Sequence, residues 1–258
     1  MQISLYKLYT ISTFRIIITI TLQVIVYKTT AQTKEVTYQT LYWTRYYNQL
    51  SFHPKWTWHN EIDNRRFLQA NKQHHLIIHS HLHYKVLPNV DLAGGFTYSR
   101  QSPQNPDATV DLVIPELRPF QEVNLNIPFG KWFVLAQRLR IDERFIHKNN
   151  GKILLEGYDF NFRMRLRTQA LLSLSRKNTL YNSSLKLANE LMVNAGGGTL
   201  LNQFDQNRIY IGFEQNLGKK LAIELGYLHW YQQRNTGYQF FSRNITRLTI
   251  YHRINRYN

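Results

Sequence analysis

The sequence predicts an all-β protein: an antiparallel transmembrane β-barrel of about 10–12 strands behind an N-terminal signal peptide. Many segments alternate apolar and polar residues over the length of about 9–11 residues that a tilted strand needs to cross a bilayer. Several arginines recur on a single face of such segments, and a short apolar run opens the chain behind basic residues. Mean hydropathy is -0.43, which excludes a helical membrane bundle but not a barrel, because half of each barrel strand is polar.

The composition fits one exported β-domain and limits its chemistry. The chain has 258 residues and no cysteine, so it has no disulfide framework, thiolate metal site or cysteine nucleophile. Its formal net charge is +16, but the arginines alternate along strands beside acids and do not form one basic patch or helix. We therefore expect a charged interior, and we expect no nucleic-acid partner.

The first 31 residues are typical of a signal peptide. Lys7 and Arg15 supply the positive charge, Ile16–Tyr27 supplies the apolar core, and the small residues Thr29–Ala31 predict cleavage before Gln32. The alternative is an uncleaved membrane anchor, although the apolar run is short and interrupted. The expected organisation is a signal peptide at 1–31 and an outer-membrane barrel at 32–258, exported to the bacterial outer membrane.

Strand-like segments with turn signals between them follow to the end of the chain. Short turns alternate with longer loops, which is the asymmetry of an outer-membrane barrel. Eleven segments can be counted, whereas a single-chain bacterial barrel is expected to have an even number, so we expect ten or twelve. The segments are Val36–Leu50, Trp56–Phe67, Leu76–Val86, Val90–Arg100, Arg118–Ile127, Trp132–Ile146, Tyr158–Leu172, Leu185–Asn194, Arg208–Leu217, Leu221–Gln232 and Arg243–Ile254.

The segment Tyr158–Leu172 gives the clearest prediction of which face is which. Its apolar residues occupy one face almost without interruption, and Arg163, Arg165 and Arg167 alternate on the other. An arginine facing lipid at the middle of the bilayer costs about 2–4 kcal/mol. The arginine face is therefore expected to point inward.

The inward faces of the other strands predict a network of buried charges, since this many buried arginines require acidic partners. The network either fills and stiffens the barrel or attracts anions into it, and arginine suits both roles. We expect a structural, binding or anion-attracting pore protein. The expected members are Arg138, Arg140, Asp142, Arg144, Arg163, Arg165, Arg167, Glu122, Glu190, Arg208, Glu214 and Glu224.

A histidine-rich strand offers a weak metal-binding pattern. His79, His81 and His83 alternate on one face, close enough for two of them to reach one metal ion, and His74-His75 precede them. The adjacent strand presents His59, Glu61 and Asp63 on one face. The pattern lacks a second half with ligand spacing, so we expect no metal and no cofactor.

Signatures of catalysis are missing from the sequence, which contains no G-x-S-x-G, no H-E-x-x-H and no phosphate-binding glycine loop. Two alternatives stay open. One is an outer-membrane enzyme acting on lipid or lipopolysaccharide, with Ser99, Ser173, His147 and His229 as available groups. The other is a soluble periplasmic β-sandwich that binds a ligand. For the barrel itself, the expected partners are outer-membrane lipid and lipopolysaccharide.

Several short motifs stand in an order shared with one family. They are Pro115-Glu116-Leu117-Arg118, Arg138-Leu139-Arg140-Ile141-Asp142-Glu143-Arg144-Phe145, the arginine alternation at 163–167, Asn189-Glu190, Asp205-Gln206-Asn207-Arg208 and Glu224-Leu225-Gly226-Tyr227. On these motifs the chain resembles the domain-of-unknown-function 2490 family, exported barrel-like proteins common in Bacteroidetes. The resemblance implies an outer-membrane β-barrel and no assigned activity. Glu143 lies on the face expected to contact lipid, which predicts either a position near the rim or a local register slip.

Overall fold

The computed structural model describes residues 34–175, 181–196 and 202–257. The expected signal peptide lies outside the described residues. The strand prediction is confirmed, because each of the eleven segments forms a strand. The strands are β1 (Glu35–His53), β2 (Trp56–Phe67), β3 (Gln73–Leu87), β4 (Val90–Gln101), β5 (Ile114–Phe129), β6 (Phe133–Asn149), β7 (Leu154–Ser173), β8 (Ser183–Ala195), β9 (Phe204–Asn216), β10 (Leu221–Gln233) and β11 (Gln239–Asn255).

The strands form a single closed barrel in which each strand pairs with its neighbours in sequence and β11 pairs with β1. The expectation of an even strand number is therefore wrong, and so is that of purely antiparallel pairing. With an odd number of up-and-down strands, the first and last run in the same direction. The seam between β1 and β11 is accordingly parallel, from Glu35 opposite Gln239 to Ser51 opposite Asn255. A sandwich of two packed sheets is also excluded.

Two ends of the barrel follow from this order. The turns after β1, β3, β5, β7 and β9 lie at one end, called here the turn end, where three of them are as short as 54–55, 88–89 and 130–132. The opposite, loop end carries the segment 102–113 between β4 and β5. The predicted alternation of short and long connections is confirmed only in part, because the connection 150–153 at the loop end is shorter than the connection 174–182 at the turn end.

Side chains alternate between the inside and the outside, as the pleat of a strand requires. On β7, Arg163 is buried inside, whereas Phe162 and Met164 on either side of it are 38% and 41% exposed on the outside. The pairing of β6 with β7 is regular from Phe133 to His147, so the register does not slip at Glu143. Its carboxylate points outward and accepts a hydrogen bond from Gln121 on the neighbouring strand.

In the part of the chain that the structure describes, no helix is long and apolar enough to cross a membrane.

Candidate functional site in the barrel interior

The interior of the barrel contains a cavity of about 970 Å³ lined by side chains from all eleven strands. Basic side chains outnumber acidic ones in this lining. Long arginine side chains fill much of the space between opposite walls, and their stems bury apolar surface while their guanidinium groups meet acids. The cavity is therefore the candidate functional site.

Glu190 on β8 is the acid on which the central arginines converge. Its Oε1 atom accepts from Arg138 at 2.5 Å and from Arg165 at 2.8 Å, and Arg208 lies 3.8 Å from its second oxygen. Glu122 on β5 lies 3.8 Å from a guanidinium nitrogen of Arg138. The sequence placed these residues on inward faces, and the structure brings them together.

Two further acids are fully buried among arginines of the same wall. Asp142 lies 2.7 Å from Arg140 and 3.5 Å from Arg165. Glu116 accepts from Arg118 at 2.6 Å and from Arg144 at 2.5 Å. Each carboxylate thus serves two guanidinium groups, which offsets the high cost of burying charge without a partner. The inward faces of β5 to β8 form what we call the charged wall.

A separate charged group lies nearer the turn end. Glu224 is fully buried and binds Lys186 at 2.6 Å, Arg247 at 2.9 Å and the hydroxyl of Tyr210 at 2.6 Å. Lys186 also pairs with Glu214. Arg208 and Glu214 both line the cavity from β9 but do not contact each other. Arg208 donates to Gln206, and Glu214 pairs with Lys186 and Arg253.

One of the predicted arginines has no acidic partner. Among the described residues, no carboxylate lies within 4.0 Å of the Arg167 guanidinium, which donates a hydrogen bond to Gln169. Arg167 lies directly opposite Arg138 in the pairing of β6 with β7 and opposite Glu190 in the pairing of β7 with β8. The Glu190 carboxylate binds Arg138 and Arg165 instead. Arg167 lines the cavity.

Arg243 on β11 is a fully buried arginine that the sequence reasoning missed. It donates to the amide oxygens of Gln39 at 2.7 Å, Gln232 at 2.6 Å and Gln104 at 2.9 Å. Gln104 belongs to the loop between β4 and β5, so this loop folds into the loop end of the barrel. The alternation of residues along β11 could have predicted the inward position of Arg243. Nothing in the sequence indicates that its partners are neutral.

Part of the interior is apolar and packs without charge. Trp43 and Trp230 meet edge to face, with ring centroids 5.9 Å apart. Guanidinium groups border this packing, with Arg65 lying 3.9 Å from the Trp43 ring centroid. The aromatic cluster consists of Leu41, Trp43, Phe67, Tyr210, Leu228, Trp230 and Ile245.

Of the three candidate metal-binding histidines, His81 and His83 lie together, with His81 Nδ1 and His83 Nε2 2.9 Å apart. His79 instead contacts the Thr97 hydroxyl at 2.6 Å. The third imidazole of the group comes from His59 on β2, and one nitrogen of each of the three rings lies within 4.8 Å of the others. Because His59 lies on β2, the spacing of histidines along β3 could not predict that it joins this group.

The serine and histidine residues considered for a hydrolase do not meet. Ser99 is buried inside the barrel and its hydroxyl has no hydrogen-bond partner among the described residues. His229 contacts Asn244, and His147 packs on Tyr158. Ser173 contacts the carbonyl oxygen of Ser175 at the turn end.

Several members of the network were not among the predicted residues, although Glu122, Glu190 and Arg208 on three of the same strands were. All of them except Asp205 occupy inward positions that a two-residue period would assign correctly once each strand was oriented. Asp205 lies where the pairing of β8 with β9 shifts register, so the two-residue period does not assign its face. The missed members include Arg45, Glu116, Arg118, Lys186, Asp205, Arg243, Arg247 and Arg253.

A comparison with protein-family models identifies the chain. The family described as "Protein of unknown function (DUF2490)" matches residues 40–241, from within β1 to the start of β11. No curated protein and no solved structure matches. The match covers most of the chain and confirms the resemblance seen in the sequence motifs. The chain belongs to the DUF2490 family, whose function is unknown.

Proposed function

We propose that this protein is an outer-membrane β-barrel whose basic interior takes up small anions. One observation carries the proposal: a single closed sheet has apolar side chains on its outside and encloses a cavity in which basic groups outnumber acids. Soluble proteins rarely expose continuous apolar patches larger than about 300–600 Å². A lipid bilayer is the environment that covers an apolar surface running around a barrel.

The apolar surface recurs on neighbouring strands. On β7, Leu166 is 41% exposed, and on β9 and β10 the exposed fractions of Ile209 and Leu225 reach 56% and 58%. These side chains alternate with the charged residues that face the cavity. The outward face of each strand therefore suits hydrocarbon, and the inward face suits a charged interior.

Polar side chains on the outside bond to one another, as a hydrocarbon environment requires. The Trp58 indole donates to the Ser80 hydroxyl at 2.9 Å, which donates in turn to Asn60 at 3.0 Å. Gln121 donates to Glu143 at 3.1 Å. Because these outward polar groups form hydrogen bonds with one another, they do not require water, which supports lipid as the surrounding medium.

The proposed orientation places the turn end toward the periplasm and the loop end outside, following the usual lengths of barrel connections. The outward apolar side chains would then contact lipid acyl chains, including those of lipopolysaccharide. Export by the predicted signal peptide at 1–31 completes the proposal.

Anion uptake is supported by the charge balance of the cavity. Arg167 lines the cavity without a carboxylate partner within 4.0 Å among the described residues, and Arg138 lies opposite it. A guanidinium group with free donors binds oxyanions and halides, and its charge is fixed at any physiological pH. An anion that enters the cavity gains this attraction without displacing an internal acid.

The test is reconstitution of the purified mature chain in lipid bilayers. We expect the protein to stay with the membrane after urea extraction, because its apolar exterior lies in lipid. In planar bilayers under a potassium chloride gradient, we expect a reversal potential displaced toward that of chloride. The same bilayers without protein provide the baseline.

Two outcomes would contradict the proposal separately. Release of folded protein into buffer without detergent would exclude the membrane location. Membrane-inserted protein that carries no anion-biased current would exclude anion uptake through the interior and leave a structural barrel.

A further inference from the structure

We propose that His59, His81 and His83 form a binding site for a divalent transition-metal ion, for which Zn²⁺ is the reference ion. These three residues, called here the histidine trio, line the cavity toward the turn end, His59 on β2 and the other two on β3. The inference goes beyond the proposed function, since it requires neither a membrane nor a current.

Carboxylates fix the proton on two of the three rings. Asp91 lies 2.7 Å from Nδ1 of His83, and Glu61 lies 3.2 Å from Nε2 of His81. A carboxylate only accepts hydrogen bonds, so the nitrogen facing it carries the hydrogen in each case. The other nitrogen of each ring then presents a lone pair.

Those two lone pairs face each other. Nε2 of His83 and Nδ1 of His81 are 2.9 Å apart, a distance at which two acceptors repel unless a cation lies between them. The cation is either a shared proton or a metal ion. Neighbouring nitrogens of a tetrahedral zinc site with Zn–N bonds of 2.0–2.1 Å lie about 3.3 Å apart, so a metal ion needs only a slight separation of the rings.

The third imidazole favours the metal over the proton, because a proton is shared by two rings only. The His59 ring lies against that of His83, with centroids 3.9 Å apart. Its Nδ1 contacts the Tyr47 hydroxyl at 2.7 Å, and its Nε2 has only a 3.3 Å contact to Gln49. To bind the ion, the His59 ring exchanges this long contact for a bond from Nε2 to the metal.

The surroundings of the trio match those of known metal sites. Histidine ligands of metals nearly always donate their other ring N–H to a carboxylate or carbonyl, which orients the ring. Here Asp91 is itself held by Asn124 at 3.0 Å. Glu122 lies 3.8 Å from His83 Nε2, adds negative charge and is near enough to act on a fourth ligand. Imidazole donors with acidic neighbours favour zinc, copper or nickel over magnesium and calcium.

The experiment is calorimetric titration of ZnCl₂ into mature protein that has been stripped with a chelator and carries no polyhistidine tag. We expect one ion per chain for the wild type. His81→Gln and His83→Gln should each lose the binding heat. His79→Gln is the matched control, because His79 shares the inward face of β3 but contacts Thr97 and lies outside the trio.

The Asp91→Asn variant distinguishes a preorganised metal site from non-specific zinc binding to histidines. The change leaves all three ligands in place and removes the carboxylate that orients His83, so the affinity should fall about 10–100-fold. Cobalt(II) provides a second readout, since tetrahedral coordination gives strong visible absorption that octahedral coordination in water lacks. Each variant is first checked for the heat-dependent electrophoretic mobility shift of a folded barrel.

Two results would overturn the site. One is a wild-type protein that takes up no zinc, which would mean that the two rings share a proton instead. The other is equal zinc affinity in folded His81→Gln, His83→Gln and His79→Gln variants. Neither result bears on the membrane or anion experiment.

Discussion

The charged wall and the aromatic cluster fill the same barrel by different means. In the charged wall, acids such as Glu116, Asp142 and Glu190 each hold two or more guanidinium groups. In the aromatic cluster, Trp43 and Trp230 pack in edge contact with almost no exposure. Both parts lie on the inside of the same sheet, so inward position alone does not decide whether a residue is charged.

The location of the aromatic cluster suggests why the two parts differ. Leu41 and Ile245 are fully buried and lie opposite each other across the parallel seam. Parallel pairing is slightly less stable per residue than antiparallel pairing. Apolar packing behind the seam adds stabilisation at the place where the strand order forces the weaker pairing. The charged wall lies behind antiparallel pairs.

Arginines also join the two parts. Arg208 lies 4.8 Å from the Trp230 ring centroid and 3.8 Å from Glu190. Arg243 stacks 4.4 Å from the same indole. Cation–π contacts of desolvated groups are worth about 2 kcal/mol, so the aromatic rings supplement the acid at Arg208 and take the place of one at Arg243.

The largest expected effect is in the charged wall. Glu116→Gln removes the carboxylate shared by Arg118 and Arg144 and leaves two buried guanidinium groups without it. Breaking a buried ion pair from one side costs about 3–5 kcal/mol. We expect a loss of that size in the free energy of unfolding, measured by urea titration of the folded barrel.

The matched control is Glu143→Gln, which neutralises an acid on the outside of β6 whose partner is the neutral Gln121. A change within about 1 kcal/mol is expected there. Equal effects of the two substitutions would contradict the assignment of Glu116 as a structural centre of the charged wall.

The sequence was sufficient to predict the strands and the arginine face. Tyr158–Leu172 alternates so regularly that its facing follows from the cost of placing arginine in lipid. The strand β1 has no such signal, because Tyr38 and Tyr42 on one face and Trp43 on the other are all aromatic. An aromatic residue is compatible with either face of such a strand, so the aromatic cluster could not be predicted from the sequence.

Partners and closure could not be predicted for a different reason. A two-residue period fixes the face of Glu214 and Arg208, but long side chains reach across several strands to the acid that suits them. Arg138 on β6, for example, reaches past β7 to Glu190 on β8. Closure depends on all eleven strands together, and no single segment encodes whether the last pairs with the first in parallel. The histidine trio was missed in the same way, since His59 comes from another strand.

An intermediate effect is expected in the aromatic cluster. The Tyr210 ring lies across the inward glycines Gly212 and Gly226, and a Cβ atom at either position would overlap the ring. Gly226→Ala must therefore displace Tyr210, whose hydroxyl donates to Glu224. Overpacking of this kind costs about 1–3 kcal/mol, which we expect in the same urea titration.

Gly94→Ala is the control for the glycine prediction. Gly94 is also a strand glycine, but the nearest atom to an added Cβ is the carbonyl oxygen of Phe120 at 3.9 Å, an ordinary contact. Its unfolding free energy should change little. A Gly226→Ala variant as stable as Gly94→Ala would mean that the position of the Tyr210 ring does not require glycine at residue 226.

The smallest effect on stability is expected at Arg167, and it separates the two roles of the charged wall. Arg167→Gln removes a charge that has no carboxylate within 4.0 Å among the described residues and that lies between Arg138 on one side and Glu190 on the other, so the repulsion and attraction largely offset each other and the unfolding free energy should stay within about 1 kcal/mol of wild type. Arg165→Gln, on the same face, removes a partner of both Glu190 and Asp142 and should destabilise more. If the cavity takes up anions, the order reverses in planar bilayers. Arg167→Gln should lose more chloride preference than Arg165→Gln, because the Arg165 guanidinium is already bound by Glu190 and Asp142 whereas that of Arg167 has no carboxylate within 4.0 Å among the described residues. If Arg165→Gln instead loses more of both stability and chloride preference than Arg167→Gln, the arginines of the charged wall act only as structural partners for its acids.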